Sequence, residues 1–229
     1  MTKLALLGYG KMGKTIAALA PQRGFEVRLA MDIDVNAQGQ GITPENFQGI
    51  DVCIDFTTPD AVLENIRRVA ARGVNLVVGT TGWHNRLEEV RGIIEGAGVG
   101  MVYGANFSIG VNLFYRVAQA AAEIFSAFPM YDPYITETHH KFKKDAPSGT
   151  ALELESRLQL YFKSGEIPLA SVRAGYFPGV HELGFDSEAD TIILRHTARG
   201  RAGFAEGALF AARWVLGRKG LFSFAEALK

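Results

Sequence analysis

Short apolar runs alternate with helical patterns along the first hundred residues of the chain. Runs such as KLALLG and VNLVVGT predict buried strands, and the segments between them space their apolar residues as amphipathic helices do. The predicted strands cover 3–8, 26–34, 51–57, 74–80 and 99–104, and the predicted helices cover 11–23, 59–73 and 85–96. This alternation indicates a parallel sheet covered on both faces. Segment 35–50 is the exception, because it is rich in Gly, Asn and Gln and predicts a shortened crossover without a convincing helix.

The pattern changes after Phe107. A long apolar helix is predicted over 110–128, a strand over 130–140 and another helix over 150–163. Segment 171–199 alternates polar and apolar residues around Gly, Pro and Asp, which is typical of antiparallel strands, and 203–224 returns to a helical pattern. We therefore predict an α/β chain with a nucleotide-type domain over 1–107 plus 205–229 and a second α+β domain over 108–204.

Composition and charge narrow the possible partners. Lys and Arg together number 24, as do Asp and Glu, so the formal net charge of the 229-residue chain is zero. We accordingly expect no nucleic-acid and no membrane partner, and we expect any basic cluster to serve a small ligand. Cys53 is the single cysteine, which excludes an internal disulfide. The sequence shows no signal-peptide pattern and no run of about 20 apolar residues, so we expect a cytoplasmic protein.

A glycine-rich turn follows the first predicted strand. Gly8, Gly10 and Gly13 form G-x-G-x-x-G between that strand and the helix after it. Gly8 permits the tight turn, Gly10 lets a pyrophosphate approach the backbone, and Gly13 permits close packing of helix and strand. The helix N-terminus then offers N–H groups and a positive dipole to the phosphates. The pattern predicts a dinucleotide site, and the alternative is a turn without a ligand.

An acidic residue near the end of the second strand is expected to accept hydrogen bonds from the cofactor ribose. Asp32 lies 19 residues after Gly13, and Asp34 competes with it because strand alternation places both on one face. No basic residue follows the acid, and a carboxylate repels a 2′-phosphate, so the sequence favours NADH slightly over NADPH. Lys11 in the glycine loop could serve either cofactor.

Two further loops follow strands on the same side of the predicted sheet, where open α/β sheets bind their ligands. Their small and hydroxyl-bearing residues would let a nicotinamide and its ribose lie close to the backbone. The alternative is a pair of ordinary turns at strand ends. The residues are Gly79, Thr80 and Thr81 after the fourth strand, and Gly104, Ala105, Asn106 and Phe107 after the fifth.

Titratable residues crowd into ETHHKFKKDAPSGTA at 137–151. His139 and His140 end a strand, so their side chains point to opposite faces. Lys143 and Lys144 bring two ammonium groups together, an arrangement that a bound anion would stabilise.

The end of this segment opens a helix, since Ser148 or Thr150 can cap it and Gly149 exposes backbone N–H groups. Lysines, a helix N-terminus and a histidine predict a site for a small dianion with an acid–base group. A solvated basic loop with a helix cap is the alternative. We expect no metal, because adjacent histidines do not suit one zinc ion and no further ligand stands at suitable spacing.

This segment closely resembles E-x-H-H-x-x-K-x-D-A-P-S-G-T-A, a signature of the 4-hydroxy-tetrahydrodipicolinate reductase (dihydrodipicolinate reductase) family. IDFTTPDA, VVGTTG and ANFSIGVN match other segments of that family in the same order, so the resemblance covers nearly the whole chain. It implies an N-terminal Rossmann domain, a second domain with an open mixed sheet, and a homotetramer built through that sheet. It also implies hydride transfer from NAD(P)H to a conjugated cyclic imine in diaminopimelate and lysine biosynthesis.

The resemblance also implies roles for individual residues. His139 would be the acid–base residue and Lys143 a second proton donor, while the substrate carboxylates would be held by His140, Ser148, Gly149 and Thr150. The cofactor would be held by Gly8, Tyr9, Gly10, Lys11, Met12, Gly13, Asp32 or Asp34, Gly79, Thr80, Thr81, Gly104, Ala105, Asn106 and Phe107. The first loop is a compact version of the family's, and no arginine follows the acid, so the cofactor preference stays open.

Two other functions compete with the reductase. One is a different Rossmann-type dehydrogenase acting on an amino acid or a sugar, and the substrate-side motif argues against it. The other is a non-catalytic protein that senses a dinucleotide, and the presence of both His139 and Lys143 argues against that.

Overall fold

The protein is described by a computed structural model that covers residues 1–163 and 165–229. The chain forms two compact units. Unit 1 consists of Met1–Ser108 and Phe204–Lys229, and unit 2 consists of Ile109–Gly203.

Strands and helices alternate along the chain. The strands are β1 (Thr2–Leu7), β2 (Phe25–Met31), β3 (Val52–Asp55), β4 (Asn75–Val78), β5 (Gly100–Tyr103), β6 (Asp132–His139), β7 (Leu169–Arg173), β8 (Val180–Asp186), β9 (Thr191–Thr197) and β10 (Gly220–Ser223). The α-helices are α1 (Lys11–Leu19), α2 (Ile33–Asn36), α3 (Pro59–Ala70), α4 (Leu87–Ala97), α5 (Ile109–Phe125), α6 (Gly149–Leu158), α7 (Ala202–Trp214) and α8 (Phe224–Ala227). Short 3₁₀ turns cover Ala20–Arg23 and His84–Arg86. Within the described ranges, none of the helices is both long and apolar enough to cross a bilayer.

Unit 1 is built on a six-stranded parallel sheet in the order β10-β5-β4-β3-β1-β2. All four residues of β3 are buried, as are the last three of β4, because helices cover both faces of a sheet of this kind. The chain reverses its direction of travel across the sheet after β2, so the carboxyl ends of β1 and β3 flank a switch point. The predicted Rossmann-type sheet is confirmed.

Two details of unit 1 differ from the sequence-based expectation. The predicted helix over 203–224 is wrong beyond Trp214, because Gly217 and Gly220 adopt positive φ angles of 75° and 115° and β10 then pairs with β5. Strand β2 ends at Met31 rather than at residue 34, and one helical turn, α2, follows it.

Unit 2 contains a four-stranded sheet in the order β7-β6-β8-β9. Strand β6 pairs antiparallel with β8 and β8 with β9, whereas β7 runs parallel to β6. The predicted mixed sheet is therefore confirmed, but the antiparallel reading of 171–199 is wrong for β7. Helices α5 and α6 contribute to a core with Ile135, Leu183 and Phe185 of the sheet.

Helix α7 packs against the backbone of unit 1 at a glycine. A Cβ at Gly207 would lie 1.7 Å from the carbonyl oxygen of Phe107. Gly207→Ala should therefore lower the free energy of unfolding in urea by about 2 kcal/mol or more, since overpacking forces the helix to shift. Gly92→Ala in α4 is the matched control, because a Cβ there meets nothing within 4 Å and alanine favours helix. Equal stability of the two variants would contradict this account.

Candidate active site

The glycine turn of unit 1 has the geometry that a dinucleotide loop requires. Gly8 has φ of +84°, and a Cβ there would lie 2.3 Å from the carbonyl oxygen of Phe56. A Cβ at Gly13 would lie 2.3 Å from the carbonyl oxygen of Gly8, whereas one at Gly10 would meet nothing within 4 Å. The first and third glycines are thus needed for packing, and the space over the second is open to a pyrophosphate at the N-terminus of α1. The residues present fit such a cofactor.

The other residues of this turn lie at the surface. Tyr9 and Met12 are half-buried, and Lys11, the first residue of α1, is exposed. Lys11 can therefore reach a phosphate without losing a partner inside the fold.

The two candidate acids after β2 occupy different positions. Asp32 caps α2, and one oxygen of its carboxylate accepts a hydrogen bond from the backbone N–H of Ile33 at 3.0 Å. Asp34 lies inside the first turn of that helix, so the expected strand alternation of the two acids is wrong. Both side chains are exposed, and Asp32 stands directly at the carboxyl end of the strand.

In the loop after β4, Gly79 and Thr80 contact other parts of unit 1, whereas Thr81 lies at the surface. A Cβ at Gly79 would lie 2.2 Å from the ring of Phe56, so any other residue here would force that ring to shift. The hydroxyl of the buried Thr80 donates a hydrogen bond to Asp55 at 3.0 Å, and it is occupied within the protein. Thr81 is exposed and free to face a ligand.

The loop after β5 is only partly exposed. Ala105 is exposed and Gly104 is half-buried. The side-chain oxygen of Asn106 accepts a hydrogen bond from the backbone N–H two residues later at 2.8 Å. Phe107 is 2% exposed, and its ring lies 4.6 Å from that of Phe224. The Phe107 side chain is therefore packed inside unit 1, away from the surface on which a cofactor would lie.

A buried carboxylate that the sequence analysis did not single out joins these loops. Oδ1 of Asp55, the last residue of β3, accepts hydrogen bonds from the backbone and hydroxyl of Thr57 at 2.8 and 2.7 Å, besides the one from Thr80. Oδ2 accepts one from Asn65 at 2.8 Å. Burial raises the pKa of Asp55, and these donors partly oppose that rise. An acid inside the apolar run DVCIDF was the signal that could have found it.

In unit 2, the two adjacent histidines at the end of β6 have different environments. His139 is buried at 8% exposure, and its Nδ1 lies 2.8 Å from Oε2 of Glu137. His140 is half-buried, and its Nδ1 is shielded from solvent without a hydrogen-bond partner among the described residues. Such an atom is costly to leave unpaired.

The lysines after these histidines do not need a bound anion to coexist. Lys143 Nζ lies 2.8 Å from Oδ1 of Asp145, and this contact holds the pKa of the Asp145 carboxyl below its usual value. Lys144 is exposed to solvent. The repulsion between Lys143 and Lys144 that suggested a bound anion is thus relieved within the chain, and Lys143 lies on the short loop that follows His139.

Helix α6 begins next to these residues. Ser148 is the buried N-cap, and its hydroxyl oxygen accepts a hydrogen bond from the backbone N–H of Ala151 at 3.2 Å. Gly149 is exposed, and a Cβ there would meet nothing within 4 Å. Thr150 is half-buried and accepts, through its carbonyl, a hydrogen bond from Tyr115. The first turn of the helix is open at Gly149, where an anion would meet the positive end of the dipole.

Three further residues of the sheet meet beside His139. Strand pairing places Arg173 of β7 opposite His139 and His181 of β8 opposite Glu137. Burial, together with the nearby charge of His139, lowers the pKa of His181 to about 4, so this ring is neutral at pH 7. Glu137 lies two positions before His139 in the same strand, so both side chains are on one face of the sheet. This spacing could have been recognised from the sequence. The sequence offered no such signal for Arg173 or His181.

The same residues bear on the expected absence of a metal. That expectation rested on the lack of a further ligand near the adjacent histidines. The fold brings ligand atoms of Glu137, His139 and His181 within 4.8 Å of one another. The guanidinium of Arg173 lies 2.6 Å from Oε1 of Glu137, and its positive charge opposes a cation there.

Comparison with protein families matches both parts of the chain. Residues 2–107 match the model described as dihydrodipicolinate reductase, N-terminus, and residues 110–228 match dihydrodipicolinate reductase, C-terminus. A protein of Christiangramia forsetii named 4-hydroxy-tetrahydrodipicolinate reductase is 35% identical, over 98% of this chain and 97% of its own length. One of Methanoregula boonei with the same name is 34% identical, over 100% of this chain and 98% of its own.

Solved structures give a consistent result. The dipicolinate-bound dihydrodipicolinate reductase of Paenisporosarcina sp. TG-14 aligns with a TM-score of 0.81 at 25% identity, over 97% of both chains. An amine dehydrogenase from Mycobacterium smegmatis aligns with a TM-score of 0.64 at 10% identity, over 99% of this chain and 95% of its own, and indicates a shared fold only.

Proposed function

This chain belongs to the dihydrodipicolinate reductase family, and we propose that it reduces 4-hydroxy-tetrahydrodipicolinate to tetrahydrodipicolinate with NADH or NADPH. The reaction belongs to diaminopimelate and lysine biosynthesis. Relatives that carry the name of this activity align over nearly their whole length. A cytoplasmic location is part of the proposal, because the reaction consumes a reduced dinucleotide. When bound, that dinucleotide supplies the hydride.

The cofactor is assigned to the domain over 1–107 plus 205–229. The open space over Gly10 and the N-terminus of α1 would receive the pyrophosphate. Asp32 is preferred to Asp34 for the ribose, because it stands at the carboxyl end of β2. The loops at 79–81 and 104–107 would contact the nicotinamide half through exposed Thr81 and through backbone.

The substrate is assigned to the domain over 108–204. His140, Ser148, Gly149 and Thr150 would hold its carboxylates, with the N-terminus of α6 supplying a positive dipole. His139 would deliver the proton that completes the reduction, and Lys143 would act as a second donor. Dipicolinate, the ligand named for the Paenisporosarcina structure, is a planar dianion of the same size class as the proposed substrate.

One observation carries this proposal more than the others. Within unit 2, a single motif sets a buried histidine beside an ionised carboxylate and starts a helix whose first turn is open. An acid–base group next to an anion-binding helix end is what a reductase of a cyclic dicarboxylate requires.

The purified protein should oxidise NADH when freshly generated 4-hydroxy-tetrahydrodipicolinate is added. Because no basic residue follows Asp32, kcat/KM should be higher with NADH than with NADPH. Pyridine-2,6-dicarboxylate should inhibit competitively with the substrate. A higher value with NADPH would overturn only the cofactor preference. If the substrate lowers the absorbance of neither NADH nor NADPH but the protein still binds NADH, the dinucleotide sensor is favoured. If pyridine-2,6-dicarboxylate (dipicolinate) does not bind, another dehydrogenase is favoured.

Variants separate the proposed proton donors from their neighbours. His139→Gln should lower kcat about 100-fold or more, because it removes the acid–base group. Lys143→Ala should lower kcat and also weaken substrate binding. Lys144→Ala is the matched control, since this exposed lysine is adjacent in sequence and should leave both constants within about two-fold of wild type. Wild-type turnover in either of the first two variants would show that the roles are misassigned.

A homotetramer through the sheet of unit 2 is also proposed. Val172 and Ile193 are 48% and 53% exposed, and their strand register sets them on the face that also carries Tyr134. Exposed apolar residues on one sheet face are suited to a subunit interface.

The native mass should therefore be about four times the 24.9 kDa of one chain by analytical ultracentrifugation. Ile193→Asp should lower it, whereas Leu160→Asp, which charges an exposed apolar residue just beyond α6, should not. A monomeric wild-type protein at micromolar concentration would contradict the tetramer and leave the reductase proposal intact.

A further inference from the structure

Glu137 is a buried carboxylate to which the proposed reaction assigns no role. Its side chain is 0% exposed, and both oxygens face polar groups of unit 2. Oε1 accepts hydrogen bonds from the backbone N–H of Ser148 at 3.0 Å, from the hydroxyl of Ser171 at 2.8 Å and from Nη2 of Arg173 at 2.6 Å. Oε2 lies 2.8 Å from Nδ1 of His139. One carboxylate therefore contacts both the proposed acid and the start of α6.

The carboxylate of Glu137 is ionised at neutral pH. Burial by itself would raise the pKa of Glu137, but hydrogen bonds from Ser148, Arg173 and Ser171 outweigh it and lower that pKa to about 2. Burying a charge is costly unless it is paired and hydrogen-bonded, and Arg173 provides the pairing. A glutamate held in this way is a fixed negative charge.

That fixed charge decides which nitrogen of His139 can exchange a proton. A negative oxygen 2.8 Å from Nδ1 stabilises a proton on Nδ1, although the contact lacks the alignment of a full hydrogen bond within the described residues. The other nitrogen, Nε2, lies against Gly179, where a Cβ would approach it to 3.0 Å. Glycine at this position, with φ of +151°, leaves the Nε2 edge uncrowded.

The other oxygen of Glu137 acts on the helix that would hold the substrate. It accepts the hydrogen bond of the Ser148 backbone, and the Ser148 hydroxyl lies 3.1 Å from Nε2 of His181. The N-cap of α6 is therefore held from two sides by buried groups of β6 and β8. A displacement of Glu137 would move the acid and the helix start together.

We propose that Glu137 is the positioning residue of this site: its carboxylate holds the Nδ1–H tautomer of His139, so that Nε2 exchanges the proton, and it anchors the N-terminus of α6 through Ser148. This inference rests on the proposed reductase function and deepens it. In the proton step, the Nε2–H bond of the doubly protonated ring breaks, the proton passes to the substrate, and the ring becomes neutral with its Nδ1–H retained. Solvent then returns a proton to Nε2.

A metal ion bound by Glu137, His139 and His181 is the competing reading of the same cluster. Two observations favour the positioning role. The Arg173 guanidinium already compensates the charge of Glu137, and the side chains of Glu137 and His181 are nearly inaccessible to solvent. A divalent ion would have to displace or approach a fixed cation.

Several charged groups surround His139 and contribute to its titration. Burial lowers the pKa of His139, and the carboxylate of Glu137 is the largest influence that raises it. The groups that face it are Glu137 on β6, Arg173 on β7, His181 on β8, and Lys143 and Asp145 on the loop after β6.

The test is Glu137→Gln, followed by NMR titration of the His139 ring and by the pH profile of kcat. Removing the carboxylate removes the charge that raises the pKa of His139, so the ring should lose its proton at a lower pH than in wild type. Because the reaction needs protonated His139, kcat of Glu137→Gln should decline with rising pH, and the decline should begin at a lower pH than in wild type. At pH 7.5 kcat should fall about 10-fold or more, and the ring nitrogens should no longer favour Nδ1–H.

Two variants control for structural damage. Glu137→Asp keeps the negative charge, so the His139 inflection should stay nearer to the wild-type pH than it does in Glu137→Gln, whatever the loss in kcat. Ser171→Ala removes a hydrogen bond to the same carboxylate without touching His139, so it should leave the inflection unchanged. Glu137→Gln with the wild-type tautomer and inflection would overturn the proposal, and so would His139 and His181 signals that shift together on addition of stoichiometric Zn²⁺ alone.

The NMR titration and the activity assay distinguish a failure of the positioning role of Glu137 from a failure of the reductase proposal. The NMR titration uses the free protein, so it reports on Glu137 whether or not the enzyme turns over. A wild-type protein without activity but with a shifted His139 titration in Glu137→Gln would refute the reductase and support the positioning of the ring. An active wild type with an unshifted titration in that variant would refute the positioning alone.

Discussion

A buried carboxylate must find donors inside the protein, and each unit meets this requirement at the end of a strand where loops converge. In unit 1, Asp55 ends β3 and draws in donors from the loops that follow β3 and β4 and from helix α3. In unit 2, Glu137 near the end of β6 draws in the start of α6 and the side chain of Arg173. The loops that would contact ligands are thereby held in place by two buried carboxylates, to which no ligand contact is assigned.

The two carboxylates differ in the charge of their donors, and their electrostatics differ accordingly. Asp55 is held by amide and hydroxyl groups, all neutral, and burial raises its pKa. Glu137 has a guanidinium among its donors, and its pKa is lowered to about 2. The first is suited to holding loops in place. The second is also a lasting negative charge, which can bias the protonation of a histidine beside it.

Much of the fold and part of the site could be predicted from sequence because the signals are local. The motif G-x-G-x-x-G defines a turn within six residues. The structure shows the predicted tight turn at Gly8, the open space at Gly10 and the close packing at Gly13. The predicted secondary structure was wrong where pairing with a residue distant in sequence decides the conformation. Residues 220–223 look helical in continuity with α7, but pairing with β5 makes them a strand. The hydrogen bond from the Thr80 hydroxyl to Asp55 likewise joins residues 25 positions apart, and no pattern in the sequence indicated it.

The sequence by itself determined the strand–helix alternation, the glycine turn and the motif that holds His139, Lys143 and Ser148, since each depends on residues close together in the chain. Only the tertiary structure decided that Arg173 and His181 meet Glu137, because strand register across 36 and 44 residues has no local signature. It also decided that β7 runs parallel to β6. Pairing between strands brings distant side chains within a few ångströms, and a linear pattern does not encode which pairs will form.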